Sequence, residues 1–302
     1  MTWRVVSISS RAKLDFRMGY LEVRQMDSLK RIHLSEISTL LIESEAVSIT
    51  TYLLNELINR KINVVLCDEK HLPNAYFLPY AGASDSSSQV LQQTKWKQNT
   101  KDLVWQMIIR EKINNQSSVL RYLGIDLEAD LLDQYSTQVE LGDSTNREGF
   151  SAKVYFNRIL GEDFSRRIES YANSALNYGY AILMSSFARA VTSNGCINQI
   201  GIWHHGANNN FNFSCDLMEP FRPIVDFVVI QNKFFKFETE EKRILKNILN
   251  EEFVFEDKRQ YLNNIIQSYT KSVIDALNTD DITNTRKYSY YELQIYACYS
   301  YV

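Results

Sequence analysis

The chain has 302 residues, 45% of them hydrophobic and 23% charged, with a formal net charge of −3. That composition builds a globular core as one large domain or two ordinary ones, and the acidic balance counts against a chain coated in nucleic-acid-binding charge. Only 4 prolines and 10 glycines interrupt it, which favours long helices over a turn-rich all-β fold.

The first part reads as strands. Residues 3–8, 13–18, 20–25 and 30–34 are short runs of Val, Ile, Leu and aromatics separated by Ser, Gly or Asp-Ser turns. Residues 38–44 form a more buried strand. Over residues 48–62 the period changes, and Leu53, Leu54, Leu57 and Ile58 make an apolar stripe at helical spacing. A further strand follows at 64–68. The segment 71–89, with two of the four prolines and a serine cluster, is the break in the chain. This predicts a β-rich domain over 1–75 and a connection over 76–89.

Residues 90–280 are predicted to be helical, with helices over 95–118, 127–139, 145–160, 165–193, 217–233 and 258–278. The run 175–191 carries no charge before Arg189 and suits a buried central helix. The fold class is α+β: a β-rich, sandwich-like part with one helix, then an all-helical part. The tyrosine-dense end, 281–302, fits a strand, a docking segment or an unstructured tail equally well. Between 86 and 125 six basic residues (Lys95, Lys97, Lys101, Arg110, Lys112, Arg121) face two acidic ones (Asp102, Glu111), a local +4. A DNA-binding face and a solvated helix surface both account for it.

Several chemistries are excluded by missing signatures. There is no GxxxxGK[ST] phosphate loop, no GxGxxG, no GxSxG and no CxxC. The N-terminus lacks the apolar core of a signal peptide, and no run approaches the ~20 apolar residues of a membrane span. A cytoplasmic protein with reduced thiols at Cys67, Cys196, Cys215 and Cys298 is predicted.

What remains is carboxylates with histidine. Residues 203–223 read WHHGANNNFNFSCDLMEPFRP. Asp216 and Glu219 are three apart and share a face if helical, and two carboxylates on one turn can hold a hard divalent ion. Arg222 extends the row and suits a phosphate. His204 or His205 offers an imidazole. Each piece has a plainer account: Asp216 and Glu219 as a capping box, Arg222 paired to Asp226, the asparagines satisfying a loop. Upstream, DSTNREGFSAKVYFNRILG (143–161) places Arg147 and Glu148 in a first helical turn, where the helix dipole alone favours an acid. Gly149 is out of place there and suggests a close approach by backbone or ligand.

Taken in order, NREG…YFN (146–157), LNYGY (176–180), GIWHHGANNNFNF (201–213) and SCDLMEPFRPIVD (214–226) resemble the CRISPR-associated integrase, the catalytic subunit of the spacer-acquisition complex. The wording DSTNREG and FNFSCDLMEPFRPIVD is most similar to its type II-A branch. The resemblance covers roughly residues 1–280 and leaves the tail unmatched. It implies a metal triad of Glu148, His204 and Glu219 holding Mg2+ or Mn2+, with Asp216 and His205 in support. It implies a homodimer built through the β-rich domains, and a heterohexamer with a small ferredoxin-like partner. The implied reaction joins the 3′-OH ends of a prespacer duplex to the CRISPR leader-repeat by transesterification, as antiviral defence. Candidate DNA contacts are Arg147, Lys153, Arg222, Asn208, Lys95, Lys97 and Lys101. Two other readings stay open beside it: a metal-dependent nuclease acting on DNA or RNA, and a non-catalytic DNA-binding scaffold.

Overall fold

The computed structural model describes residues 4–69, 73–77 and 85–287. Two four-stranded sheets open the chain. β1 (Arg4–Ile8), β2 (Ala12–Arg17), β3 (Tyr20–Gln25), β4 (Ser28–His33), β5 (Ile37–Ile42), β6 (Val47–Ile49), helix α1 (Thr51–Asn59), β7 (Asn63–Cys67) and β8 (Pro73–Tyr76) follow in order. One sheet runs β4-β3-β2-β6 and the other β1-β5-β7-β8. The β2–β3 hairpin turns on Met18 and Gly19, both at positive φ, the conformation that a two-residue turn between twisted strands requires. Helix α1 is shorter than the predicted 48–62 because its first residues instead form β6, parallel to β2. The Thr50 side chain then caps the helix by accepting from the Leu53 N–H.

β5 is buried along its whole length. It pairs in parallel with β1 on one side and β7 on the other. The two-residue period sends Leu40, Ile42 and Val64 into a core shared with Leu14, Leu21, Leu53 and Leu57. Leu41 and Val65 point the other way, into the core of the helical part.

That part contains α2 (Ser86–Gln93), α3 (Gln98–Tyr122), α4 (Asp126–Thr137), α5 (Arg147–Leu160), α6 (Tyr171–Ser193), α7 (Asn212–Met218), α8 (Arg222–Asn232), α9 (Thr239–Asn247) and α10 (Leu262–Thr279). Helices α3 and α6 carry the core, from Val104 to Leu120 and from Ala175 to Val191. At Gly179 an added Cβ would lie 2.4 Å from a Val225 methyl carbon, so α6 and α8 meet where no side chain fits.

The helical part differs from expectation in several places: α2 begins inside the predicted connection, α6 begins at Tyr171 rather than at 165, and α9 lies in a stretch where no helix was predicted. Residues 258–278 are not one helix: β9 (Glu252–Phe255) and β10 (Lys258–Tyr261) form an antiparallel hairpin, with α10 starting at Leu262. Phe253 and Phe255 alternate into the core, a strand period masked by flanking charge. The predicted helix 217–233 is broken into α7, a 3-10 turn over Glu219–Phe221 and α8, because Pro220 and Pro223 interrupt the ladder. Residues 78–84 of the expected connection and 288–302 of the tyrosine-rich tail lie outside the described residues.

The two parts are tied by buried polar contacts. The Lys246 ammonium lies 2.5 Å from Glu43 Oε1, and Asn263 donates to Ser38 Oγ at 3.1 Å. Among the described residues no helix is long and apolar enough to cross a membrane.

A candidate metal centre of carboxylates and histidine

Three elements converge on one point. Helix α5 brings Glu148, the 3-10 turn after α7 brings Glu219, and α3 brings Lys112 between them. Lys112 Nζ donates to Glu148 Oε1 at 2.6 Å and lies 2.6 Å from Glu219 Oε2. Arg222 Nε donates to the other oxygen, Glu219 Oε1, at 2.8 Å. Its guanidinium sits 4.6 Å over the Tyr180 ring. Three residues beyond Lys112, on the same face of α3, Asn115 Nδ2 donates to the Pro220 carbonyl at 2.8 Å and fixes the turn that carries Glu219.

Glu148 is positioned by Asp143. The Asp143 carboxylate accepts from the N–H groups of Arg147 at 2.8 Å and Glu148 at 3.1 Å, capping α5 from four residues upstream. Asn146, at φ 52°, turns the chain into the helix. Gly149 owes its place to this entry: a Cβ there would meet the Asn146 side chain at 2.8 Å. The close approach at Gly149 thus comes from a neighbouring side chain, not from the backbone or ligand expected there.

His204 is positioned by Asp216. The Asp216 carboxylate, fully buried, accepts from Ile202 N at 2.6 Å and Trp203 N at 3.1 Å on Oδ2. On Oδ1 it takes His204 N at 3.0 Å and His204 Nδ1 at 2.6 Å. It lies inside α7 and caps no helix, so the capping-box account of residues 216–219 does not apply. Gly201 is required by the same loop, since a Cβ would fall 2.5 Å from the His204 carbonyl and 2.6 Å from Asp216 Oδ2. His204 packs edge-on against Trp105, whose other ring contact is the stacked, 41% exposed Trp203.

The charges are mutually adjusted. Burial alone would depress the Lys112 ammonium, but the charges of Glu148 and Glu219 overcome it and hold its pKa above the ordinary value. Burial pushes Glu219 up, and Arg222 and Lys112 together pull it well below the usual carboxylate range. The hydrogen bond to Asp216 raises His204, against burial, with Glu219 and Glu148 adding to the rise. Burial raises Asp143, opposed by the two N–H groups it accepts. Beneath the site, buried Asp226 accepts from the Tyr180 hydroxyl, and burial pushes it up to about 6.

The donors suit a hard divalent ion. Two carboxylates from different elements already converge on one cation. Glu219 Oε2 is buried, is touched by the ammonium, and has no aligned hydrogen bond. The imidazole is held through Nδ1 by a carboxylate, the outer contact that orients a histidine ligand. Among the described residues no three His, Cys, Asp or Glu side chains are gathered closely enough to hold an ion, and the Lys112 ammonium stands between Glu148 and Glu219.

The structure thus brings Glu148, His204, Glu219, Asp216 and Arg222 together, with Arg222 committed to Glu219 rather than to Asp226. His205 and Asn208 are exposed on the 201–211 loop, and Lys153 is exposed on α5. Arg147 lies over the Tyr135 and Phe150 rings. The basic set between 95 and 121 does not form one free face. Lys112 is buried in the site, Arg121 pairs with Asp130 and Asp133, and Lys97 lies 2.5 Å from Asp280. Lys95 is exposed and Lys101 half-buried. Lys112, Asn115, Trp105 and Tyr180 were not read from the sequence as site residues. Only the predicted helix over 95–118 and the LNYGY motif hinted at where to look.

The model of the family described as CRISPR associated protein Cas1 matches residues 5–254. The chain belongs to the Cas1 family. A CRISPR-associated endonuclease Cas1 from Neisseria meningitidis is 35% identical over 230 residues, 76% of each chain. A Francisella tularensis subsp. novicida relative of the same description is 26% identical, over 84% of this chain and 89% of its own. Among solved structures, a casposase bound to its integration product superposes with a TM-score of 0.74 at 17% identity, covering 96% of this chain and 95% of that one. A CAS1 protein from Thermotoga maritima gives 0.71 at 16% identity, covering 91% and 97%. A chain of a Cas6-RT-Cas1–Cas2 complex gives 0.71 at 17% identity; it covers 95% of this chain, which spans only 36% of that longer one. These structural likenesses establish the Cas1 fold: strands first, helices after.

Proposed function

We propose that this Cas1-family chain is the integrase of a CRISPR spacer-acquisition complex of the type II-A branch, working in the cytoplasm as part of antiviral defence. Its reaction joins the 3′-OH ends of a short DNA duplex to the leader-repeat junction by direct transesterification. One phosphodiester replaces another, so no energy-rich cofactor is consumed, in keeping with the missing phosphate loop. The observation that carries this reading is the convergence of Glu148 and Glu219 on a single cation beside an imidazole that Asp216 holds in place.

Glu148, Glu219 and His204 would hold Mg2+ or Mn2+, whose contribution is charge stabilisation at the scissile phosphate. The imidazole nitrogen shifts the preference toward Mn2+ relative to an all-oxygen site. Asp143 and Asp216 keep two of the ligands in place, and Asn115 keeps the third. Arg222 holds Glu219 ionised. The β-rich part serves a homodimer, and two such dimers flank a dimer of a small ferredoxin-like partner. The acidic total charge confines DNA to local basic groups or to surfaces shared with that partner.

A nuclease reading uses the same ligands, with water in place of the 3′-hydroxyl, and the relatives' description as endonucleases favours it. A strand-transfer gel separates the two. Purified protein, its small partner, a labelled 3′-OH duplex and a repeat target are incubated with Mn2+, Mg2+ or EDTA. Joined product that depends on metal and is lost in Glu148→Ala supports the integrase. Shortened label without joining supports the nuclease. Neither product, with DNA binding intact, would leave a scaffold.

A further inference from the structure

Lys112 is a charged component of the site that the metal reading does not use. It is 8% exposed and comes from α3 amid Ile108, Ile109 and Ile113, all fully buried. An ammonium is costly in such surroundings unless it is paired. Here it is paired twice, to Glu148 and to Glu219, at 2.6 Å each. With Arg222 on the remaining Glu219 oxygen, these two carboxylates meet two cations. A divalent ion seeking the same two carboxylates meets an intramolecular competitor at full effective concentration.

We propose that Lys112 is a built-in competitor for the divalent cation: its ammonium occupies the convergence point in the DNA-free protein, and an ion enters only by displacing it. This rests on Glu148 and Glu219 being metal ligands. The displaced ammonium sits on a flexible four-carbon stem and needs a new anion. A DNA phosphate delivered to the site supplies one. Ion and DNA therefore strengthen each other's binding, since coupling between two ligands is reciprocal. The functional result is a site that stays unloaded until its substrate is present.

The test is Mn2+ titration of the full chain by calorimetry, without DNA and with a 3′-OH duplex. In the DNA-free state Lys112→Met should bind Mn2+ about tenfold or more tighter than wild type, a normal size for such coupling. The advantage should shrink when DNA is added. Lys112→Arg keeps the charge and should stay weak. Melting in EDTA should show Lys112→Met destabilised, and Mn2+ should restore it. A lysine that only braces the fold would give a loss that Mn2+ does not repair. Equal or weaker Mn2+ affinity in Lys112→Met overturns the proposal.

Lys112→Gln serves if the Met variant does not fold. A third measurement needs no variant. In wild-type protein labelled at lysine 13Cε, Mg2+ saturation should move the Lys112 resonance. A resonance that stays put while Mg2+ binds overturns the idea. Glu148→Gln separates the two levels. If wild type binds Mn2+ through Glu148 but Lys112→Met does not tighten it, only the Lys112 proposal falls. If no form binds Mn2+, the metal reading falls and takes this proposal with it.

Discussion

Asp216→Asn tests how the histidine loop is held. Each carboxylate oxygen serves two donors: Oδ2 takes Ile202 N and Trp203 N, and Oδ1 takes His204 N and His204 Nδ1. An amide replaces one oxygen by NH2: turned one way it faces the Ile202 and Trp203 N–H groups, and turned the other it faces the His204 N–H, while the imidazole can change tautomer and accept through Nδ1. Each buried N–H left unmade costs about 1–3 kcal/mol, so the less costly orientation, which strands one, costs about 2 kcal/mol before the lost charge on the imidazole contact is counted. At about 2–4 °C per kcal/mol for a chain of this order of size, the melting temperature should fall by about 5 °C. If the loop opens locally instead, melting changes little, and the amides of 202–204 lose their protection from hydrogen exchange. Strand transfer should drop in either case, because His204 is no longer oriented. A variant with wild-type melting and wild-type exchange at 202–204 would refute the account of Asp216.

Three further outcomes follow from the geometry. Asp226 holds its proton to about pH 6 in the folded protein, above its unfolded value, so it favours folding at low pH and loses that contribution as pH rises from about 4 through 6. Asp226→Asn cannot ionise and still accepts from Tyr180. Relative to wild type it should therefore gain about 3 kcal/mol of unfolding free energy between pH 4 and pH 7, read by denaturant titration at each pH. Gly179→Ala forces a methyl group against Val225 and should cost about 1–3 kcal/mol, with partial recovery in the Val225→Ala double variant. Reversing Lys95 and Lys101 to Glu should flatten the salt dependence of DNA binding. Reversing Lys97, already paired to Asp280, should flatten it less.

The strand and helix order was legible because hydrophobic period is local information. β2, β3, β5 and α3 sit within a few residues of where the pattern puts them. The β9–β10 hairpin was not, because two four-residue strands carry too little alternation to outweigh the helical pattern that follows. The ligand candidates were legible as a motif, but their partners were not. Lys112 looked like one more charge in a basic run; only folding shows that it points inward, to two carboxylates far along the sequence. Asp216 looked like a cap because sequence places it three before Glu219. Its true donors lie twelve to fourteen residues upstream, on a loop whose path depends on Gly201.

Strand β5 has a consequence for recombination between relatives. Its alternate residues complete two different cores, Leu40 and Ile42 one, Leu41 the other, and Glu43 just beyond it meets Lys246 from α9. A crossover that exchanges the strand-rich front of this chain for that of a distant cousin therefore also replaces part of the interior of the helical back. Chimeras joined near residue 80 should fold only when the incoming β5 and β7 match the receiving helices in side-chain volume. The two parts would then be inherited as a matched set, even though each has its own layer of packed residues.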